Sequence, residues 1–281
     1  MSIPNWFAVF ISRKRWLKRI LYSILPEIAY CKIYNSIEFH FDPKDMSGPS
    51  FHFAYDLEKG FNNYESAGKN KLLEFMPNNG VFFDIGANIG MYSVYFMLNK
   101  PTTKLYAFEP VSLVYRCLEN SLQSIDGDIH LYNKAIGSIN ESKNIYKCNT
   151  NDGGHSFYNE IHQRESELVQ VVNLDNFRES ESIPLRNIVK IDVEGFELQV
   201  LKGMKQTLIK ARPILLIESQ NEDLAMHGEF WHFFNDLNYL GLYAMEADNS
   251  LVLNMNDLST VAKQYLDQGK ILSDYFFIFK K

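Results

Sequence analysis

The stretch Val81-Phe82-Phe83-Asp84-Ile85-Gly86-Ala87-Asn88-Ile89-Gly90-Met91-Tyr92-Ser93 decides the fold of this chain. It starts as an apolar run rich in β-forming residues and continues as the beginning of a helix, with two glycines between them. Strand, tight turn and helix in this order form the first unit of a nucleotide-binding α/β sheet. Glycine suits such a turn because it adopts backbone angles closed to other residues and lets a ligand approach the main chain.

The glycine spacing differs from the dinucleotide-binding pattern, which would require glycine at position 88, where this chain has Asn88. A pyrophosphate is best bound by bare backbone N–H groups at a helix N-terminus. An acid beside a few amide donors better suits a ligand that carries an ammonium and a carboxylate. We therefore interpret Asp84, Gly86, Asn88 and Gly90 as a site for the methionine half of S-adenosylmethionine. A tight turn that binds no ligand is the alternative.

A second short strand, Lys104 to Phe108, ends at Glu109, because the proline that follows cannot continue a hydrogen-bonded ladder. Glu109 is thus left at the carboxyl end of the sheet. An acid placed there after a glycine turn commonly binds both ribose hydroxyls of a nucleoside-type cofactor; a solvated acid at a strand end is the alternative. After a third strand, Asn133 and Ala135 are candidates for contact with the adenine.

Charged residues occur in another predicted strand, within Ile188-Val189-Lys190-Ile191-Asp192-Val193-Glu194-Gly195-Phe196-Glu197. Side chains alternate along a strand, so Lys190, Asp192 and Glu194 share one side if the strand stays regular that far. Central parallel strands are normally apolar, and buried charges cost free energy unless paired, so such charges indicate a site. These three residues are candidate catalytic residues. An ion pair of Lys190 with one of the acids is the structural alternative, and it is compatible with catalysis.

The following strand, residues 213–218, also ends in an acid, Glu218. Neighbouring parallel strands would bring the carboxyl groups of Asp192 and Glu218 together above the sheet. Two such groups can bind a divalent, magnesium-like cation through oxygen. Without a metal, either can act as a general base on a hydroxyl, which makes Glu218 a fourth candidate catalytic residue.

Length and composition indicate one catalytic domain, residues 61–281, preceded by an extension, residues 1–60. The 281 residues are 46% hydrophobic, enough for a sizeable core, and the net charge of −6 argues against a general nucleic-acid surface. Three cysteines without short spacing give neither a disulfide framework nor a zinc signature. With no signal peptide and no apolar run long enough for a membrane span, we expect a cytoplasmic protein.

The extension begins with an amphipathic basic stretch, residues 1–25, in which apolar positions follow helical spacing. Such a helix can lie on an anionic membrane surface, pack on its own domain or form a contact in a homo-oligomer. Residues 32–41 are predicted to form a strand, and residues 51–55 a second strand paired with it. Residues 151–156 are predicted to form a turn, either a solvated tip or a segment over the site that brings His155 to the substrate.

The chain ends with a predicted helix at 230–237, a strand at 240–247, a helix near 258–268 and a strand at 275–279. A late strand pair that closes an otherwise parallel sheet fits a seven-stranded methyltransferase-like fold. His227 and His232 fall in the loop and helix after Glu218, where either could add a ligand, although packing is the simpler role for His232.

Together these stretches resemble the FkbM family of S-adenosylmethionine-dependent methyltransferases over roughly residues 61–245. The matching motifs are Asp84-Ile-Gly-Ala-Asn-Ile-Gly90, Phe108-Glu-Pro110, Ala135-Ile-Gly137, Leu174-Asp175, Lys190-Ile-Asp-Val-Glu-Gly-Phe-Glu197 with Leu201-Lys-Gly203, and residues 213–218. The resemblance implies methyl transfer to oxygen, in a family that acts on sugars, glycans and natural-product hydroxyls. It implies a cofactor role for the glycine loop and Glu109, and an active-site role for Asp192 and Glu194.

We therefore expect an α/β fold, a Rossmann-like seven-stranded methyltransferase sheet with an N-terminal extension of helix and short strands. The predicted function is methylation of a hydroxyl on a sugar, nucleotide-linked sugar or glycan, as in surface-polysaccharide biosynthesis. The alternatives are a non-sugar natural-product hydroxyl, a nicotinamide-dependent dehydrogenase and a non-catalytic module. Asn88 argues against the dehydrogenase, and the retained acids argue against a decayed site.

Overall fold

The computed structural model describes residues 1–34, 36–158, 165–180, 188–218, 228–239, 242–244, 267 and 275–277. The N-terminal part consists of two helices, a β-hairpin and three further helices. In chain order these are α1 (Asn5–Arg13), α2 (Arg15–Leu21), β1 (Ala29–Ile33), β2 (Ile37–Phe41), α3 (Pro49–Asp56), α4 (Glu58–Asn63) and α5 (Ser66–Phe75).

The remainder alternates strands and helices around one main sheet. Its first part contains β3 (Val81–Ile85), α6 (Met91–Asn99), β4 (Lys104–Phe108), α7 (Ser112–Leu122), β5 (Asp128–Tyr132), β6 (Ala135–Ile136), β7 (Glu141–Tyr146), β8 (Ser166–Val172) and α8 (Leu174–Ser180). Its second part contains β9 (Ile188–Ile191), α9 (Glu197–Gly203), α10 (Lys205–Ala211), β10 (Ile214–Ile217), α11 (Glu229–Asp236), β11 (Leu242–Ala244) and β12 (Tyr275–Phe277).

In the part of the chain that the structure describes, the main sheet has seven strands in the order β11-β12-β10-β9-β3-β4-β5. The pairings of β10, β9, β3, β4 and β5 are parallel, whereas β12 lies antiparallel between β10 and β11. The late strand inserted antiparallel to its neighbours confirms the predicted Rossmann-like methyltransferase sheet. A smaller sheet, in the order β6-β8-β7, is inserted between β5 and β9 in the chain.

The strand order reverses direction between β3 and β9. From β3 the chain proceeds to β4 and β5 on one side, and β9 and β10 occupy the other side. In open α/β sheets, ligands bind in the crevice outside the carboxyl ends of the strands at such a switch point. The two informative stretches of the sequence therefore meet at the position where this fold places its ligand.

The two faces of the sheet bury separate clusters because side chains alternate along its strands. Phe82 belongs to one cluster and its neighbour Phe83 to the other. The cluster around Phe82 also contains Phe39 and Phe53 of the N-terminal part. The hairpin packs on α7, where the His40 amide donates to the Ser121 hydroxyl at 2.8 Å. The extension thus shares a hydrophobic core with the sheet.

Two predictions for the extension are wrong in detail. Residues 32–41 do not form one strand, because a turn at Tyr34, where φ is +47°, divides them between β1 and β2. Residues 51–55 lie in helix α3 rather than in a strand. Although Phe51 and Phe53 suggest alternation, Pro49 at the first helical position favours a helix start, and Ser50, Phe53 and Ala54 are buried with helical spacing.

His227 and nearly all of the helix predicted near residues 258–268 lie outside the described residues. His232 is exposed on α11. Within the described part of the chain, none of the helices has both the length and the apolar character that a membrane span requires.

Candidate active site

A cavity of about 310 Å³ opens at the carboxyl ends of the parallel strands. Its floor comes from the loops after β3, β4, β9 and β10, and its other walls come from the N-terminal part and from the β7–β8 insertion. The residues that line the cavity include Gly48, Pro49, His52, Tyr64, Glu65, Gly86, Ala87, Asn88, Tyr92, Glu109, Ala135, Asp152, His155, Lys190, Asp192, Glu194 and Glu218. Its size lies at the lower end of the range for small-molecule sites.

The loop after β3 requires glycine for two separate reasons. Gly86 and Gly90 have φ values of +75° and +95°, a region that favours glycine. In addition, a side-chain carbon at Gly86 would lie 1.8 Å from the carbonyl oxygen of Asp192. Gly86 therefore lets the ends of β3 and β9 approach each other. Asn88 also has positive φ, at +50°, which asparagine tolerates better than most residues.

Several amide donors of this loop bind within the protein. Gly86 and Ala87 both donate to the carbonyl oxygen of Phe108 at 3.0 Å, and Asn88 donates to the Glu109 carboxylate at 3.0 Å. The Asn88 side chain donates to the Asp152 carbonyl at 2.6 Å. The loop is thus a fixed connection between β3, β4 and the insertion, and its contact with a cofactor stays a prediction.

Asp84 lies behind the cavity wall. Its carboxyl group is fully buried, accepts a hydrogen bond from the Ser93 hydroxyl at 2.6 Å and faces the Lys190 ammonium at 3.7 Å. Burial raises its pKa, and Lys190 and Ser93 oppose that shift. Asp84 is not among the residues that line the cavity, so its direct contact with a cofactor stays a prediction.

Glu109 lies at the cavity wall with its carboxylate anchored by backbone amides. It accepts hydrogen bonds from Asn88 and from Val111 at 3.0 and 2.9 Å. Burial raises its pKa to about 7, although these two hydrogen bonds act to lower it. Asn133 donates to the carbonyl oxygens of Glu109 and Pro110, both at 2.9 Å, and so holds the strand end, whereas Ala135 lines the cavity itself.

Lys190 joins the two informative stretches. Its ammonium group donates to the Gly86 carbonyl at 2.8 Å and lies 2.9 Å from the Asp192 carboxylate. Burial acts to lower the pKa of Lys190, but Asp192, Asp84 and Glu65 outweigh burial and raise it. Lys190 is therefore a permanent cation in this site. The ion pair that the sequence analysis left open is present.

Asp192 and Glu218 lie together, as the neighbouring parallel strands predict, and their carboxyl groups share a hydrogen bond. Such a bond requires one proton between the two groups. Burial acts to raise the pKa of Asp192, but Lys190 and the bond to Glu218 together lower it. Asp192 is thus the anionic member of the pair.

The predicted metal site is not supported by this arrangement. The Lys190 ammonium already neutralises the Asp192 carboxylate. Among the described residues, no group of three or more His, Cys, Asp or Glu side chains is arranged to hold a metal ion.

Glu194 also lines the cavity, although the strand does not extend to it. Strand β9 ends at Ile191, and Glu194 and Gly195 have positive φ values of +52° and +94°. Glu197 fixes this turn by accepting hydrogen bonds from the amides of Val193 and Gly195 at 3.3 and 3.0 Å. Desolvation by the surrounding cavity wall and the neighbouring Asp192 raise the pKa of Glu194 to about 8, although its side chain is exposed.

Three further residues, Tyr64, Glu65 and Tyr92, line the cavity and were not predicted from the sequence. Glu65 has a φ of +45° immediately before α5. Burial raises the pKa of its carboxyl group and Asp192 raises it further, whereas the neighbouring Tyr64 and Tyr92 act to lower it. A tyrosine and an acid before a helix occur in many proteins, so the sequence contained no specific signal for this wall. Non-glycine residues in this conformation often mark functional sites.

The β7–β8 insertion closes the cavity over the start of α3. Asp45 accepts hydrogen bonds from the amides of Gly48, Phe51 and Asp152 at 3.0, 2.6 and 3.2 Å. The Asp152 carboxylate accepts from the Ser50 amide at 3.3 Å. The predicted turn at 151–156 is therefore a cavity wall rather than a solvated tip, and His155 is among its lining residues.

The sequence of this chain is similar to those of known methyltransferases. The family model described as the methyltransferase FkbM domain matches residues 84–240. The hexuronic acid methyltransferase AglP of Haloferax volcanii is 31% identical over 147 residues, 49% of this chain and 55% of that protein. Methyltransferase 1 of Beauveria bassiana is 23% identical over 156 residues, 46% of this chain and 59% of that protein. The chain thus spans little more than half the length of these curated relatives.

Among solved structures, the FkbM methyltransferase of Methylobacillus flagellatus aligns with 96% of this chain and 60% of its own, at 14% identity and a TM-score of 0.43.

Proposed function

The chain belongs to the FkbM family of methyltransferases, and from that membership we propose that it transfers a methyl group from S-adenosylmethionine to a sugar hydroxyl. The acceptor is a sugar, a nucleotide-linked sugar or a glycan. The relative AglP, by its name, methylates a hexuronic acid, which favours a carbohydrate among the hydroxyl compounds that the family accepts. Methylation of a non-sugar natural product is the second candidate.

The observation that carries the proposal is the convergence of the glycine loop, Glu109 and the acidic strand ends on one cavity at the switch point of the sheet. A nucleoside-type cofactor fits the residues on one side of this cavity. The Glu109 carboxylate has lone pairs that its two backbone hydrogen bonds do not use. These lone pairs can accept hydrogen bonds from the ribose hydroxyls. Ala135 lines the wall where the adenine would lie. The arrangement differs from a nicotinamide site because Asn88 replaces the glycine of the dinucleotide pattern.

The acidic side of the cavity suits activation of a hydroxyl. The cofactor supplies a sulfonium methyl group; the acceptor oxygen forms a bond to that carbon as the carbon–sulfur bond breaks. The hydroxyl proton must then leave to a base. Asp192, kept anionic by Lys190, accepts a hydrogen bond from the hydroxyl and orients it. Glu194, with a pKa of about 8, takes the proton, because a base works best with a pKa near the operating pH.

The role of Lys190 in this scheme is to position other groups. It fixes the Asp192 carboxylate and binds the Gly86 carbonyl, so the cofactor side and the acceptor side of the cavity keep one geometry. Alignment of the two reacting atoms is the proximity contribution to catalysis. Glu218 shares a proton with Asp192 and holds it from the other side.

The N-terminal part contributes to acceptor choice in this proposal. Gly48, Pro49 and His52 line the cavity and lie within residues 1–60, before the region that the family model matches. We therefore propose that residues 1–60 are an extension of a catalytic domain formed by residues 61–281, and that this extension shapes the acceptor side.

Binding calorimetry tests the proposal. We expect S-adenosylmethionine and S-adenosylhomocysteine to bind, and NAD not to bind. The variant Glu109→Ala is expected to weaken both adenosyl ligands at least about tenfold, the value of one lost charge-assisted hydrogen bond. The matched control is Glu119→Ala, which removes an exposed acid on α7. Tight binding of NAD, or no binding of either adenosyl ligand, would contradict the proposal; screening of nucleotide sugars for methyl transfer follows a positive result.

A further inference from the structure

Helices α1 and α2 present an apolar outer surface, which we call the N-terminal face. It is formed by Trp6 and Phe10 of α1, Trp16 and Ile20 of α2, and Ile24 shortly after α2, each between 47 and 75% exposed. Most exposed apolar side chains in soluble proteins are isolated, whereas these five all lie within residues 6–24. The catalytic scheme above makes no use of this face.

The opposite side of the same helices is packed on the protein. Ala8, Ile11 and Ser12 are buried where α1 contacts α3, and Arg13 bonds to the Tyr55 carbonyl at 3.2 Å. In α2, Lys18 is buried and donates to the Asp45 carbonyl oxygen. The helices are therefore held in place by one side, and the exposed side is a fixed surface of the fold.

Basic residues lie among the exposed apolar ones. Trp6 and Phe10 lie four residues apart and share one side of α1, and Trp16, Arg19 and Ile20 share one side of α2. Lys14, between the helices, is exposed. Residues 1–25 contain five of the 28 Lys and Arg residues and none of the 34 Asp and Glu residues, although the chain carries a net charge of −6.

We propose that the N-terminal face binds the surface of an anionic lipid bilayer. Tryptophan is favoured at the level of the lipid headgroups, and a helix with apolar and basic residues on one side lies in the plane of the interface. The concentration of positive charge in an otherwise acidic chain matches an anionic surface, to which each basic residue adds about 1 kcal/mol of attraction. A second copy of this chain fits less well, because two such faces would bring like charges together.

Vesicle flotation tests the proposal with the full chain. We expect binding to vesicles of phosphatidylcholine that contain about 30% phosphatidylglycerol, and little binding to pure phosphatidylcholine. Binding should increase with the anionic fraction of the vesicles. Binding should weaken as salt rises because surface charges are screened. Two double variants, Trp6→Ser with Trp16→Ser and Lys14→Glu with Arg19→Glu, should each lower vesicle partition by about tenfold or more.

Two matched control variants distinguish binding through the N-terminal face from non-specific adsorption to vesicles. Ile139→Ser with Leu168→Ser removes apolar side chains that are 58 and 66% exposed in another part of the molecule. Lys205→Glu with Lys210→Glu reverses two exposed charges on α10. Both are expected to retain partition within about twofold. Circular dichroism and thermal unfolding should show that all four double variants remain folded.

Equal binding to neutral and anionic vesicles would overturn the proposal, as would unchanged partition of the Trp6→Ser, Trp16→Ser variant. A dimer in sedimentation equilibrium that disappears in that variant would overturn it too, because the face would then join two copies of the chain. The test does not use the methyl-transfer reaction, so its outcome is independent of the proposed function.

Discussion

Gly86 and Asp192 are in direct backbone contact: a side-chain carbon at Gly86 would lie 1.8 Å from the carbonyl oxygen of Asp192. These residues belong to the two motifs that carry the family resemblance, more than 100 positions apart in the chain. Their contact explains why glycine is needed here apart from any ligand. The ends of β3 and β9 could not pair to this point with a larger residue at position 86.

Replacing this glycine should destabilise the protein. In Gly86→Ala, the new methyl group meets backbone, which cannot rotate away, and φ of +75° adds strain. We expect a loss of at least about 2 kcal/mol in the free energy of unfolding, measured by chemical denaturation. Gly154→Ala is the control, because its nearest contact would be 3.4 Å, an ordinary van der Waals distance. Equal stability of the two variants would contradict the close contact.

Removal of the Lys190 ammonium should be still more damaging. Lys190→Met would leave the buried carboxyl group of Asp84 and the half-buried one of Asp192 without their cation. Breaking a buried ion pair from one side costs about 3–5 kcal/mol. The control Lys202→Met removes an exposed pair with Glu229 at 3.5 Å and should cost about 1 kcal/mol or less.

The loss in Lys190→Met should depend on pH in a defined direction. Burial already raises the pKa of Asp84, and removal of Lys190 takes away a group that lowers it. The folded variant then binds more protons than its unfolded chain, so its stability falls as pH rises. Denaturation at pH 5 and pH 8 should show the larger deficit at pH 8. A deficit that is the same at both values would mean that the Asp84 and Asp192 carboxyl groups do not depend on this cation.

The glycine loop and the acids at the strand ends could be predicted, because both depend on local sequence. The apolar run and glycines at 81–93 determine a strand, a turn and a helix by themselves, and charges at the ends of two successive strands identify Asp192 and Glu218. The class of the sheet follows from the alternation of strands and helices together with the late strand pair. These features depend on short-range chain geometry, which a single sequence contains.

The parts that depend on long-range packing could not be predicted. Which carboxyl groups face the cavity is set by tertiary contacts: Asp84 faces Ser93 and Lys190, whereas Glu65, from a segment with no motif, lies in the wall. Likewise, residues 51–55 alternate as a strand would, but their packing against the hairpin and α1 selects a helix. Pattern alone does not contain these contacts.

The pH dependence of catalysis should identify the base. Because Glu194 must be deprotonated to accept a proton and its pKa is about 8, kcat/KM should fall below pH 8 by about tenfold for each unit. Glu194→Gln should lose most of the activity at pH 9 and show no such fall. The control Glu179→Gln alters an acid on α8 and should keep the wild-type profile. A wild-type profile that stays level down to pH 6 would exclude Glu194 as the base.

Lys69 allows a test of the electrostatics that needs no ligand. Its ammonium is fully buried, donates to the Phe61 carbonyl at 2.5 Å and lies 4.8 Å from the centre of the Tyr95 ring. Burial lowers its pKa from 10.5 to about 7, and Glu65 only partly opposes this. Between these two values the unfolded chain binds more protons than the folded one, so the stability of the wild type should rise with pH from about 7 to 10.

The variant Lys69→Met should lose that rise, because it has no group to titrate. Denaturant unfolding at pH 7, 8 and 9 measures how the free energy of unfolding depends on pH. The difference in this free energy between the wild type and Lys69→Met should change by up to about 1.4 kcal/mol for each pH unit. Lys71→Met, which removes a more exposed lysine paired with Glu74, should keep the wild-type slope. Parallel pH curves for the wild type and Lys69→Met would show that Lys69 remains charged inside the fold, stabilised by the neighbouring rings and Glu65.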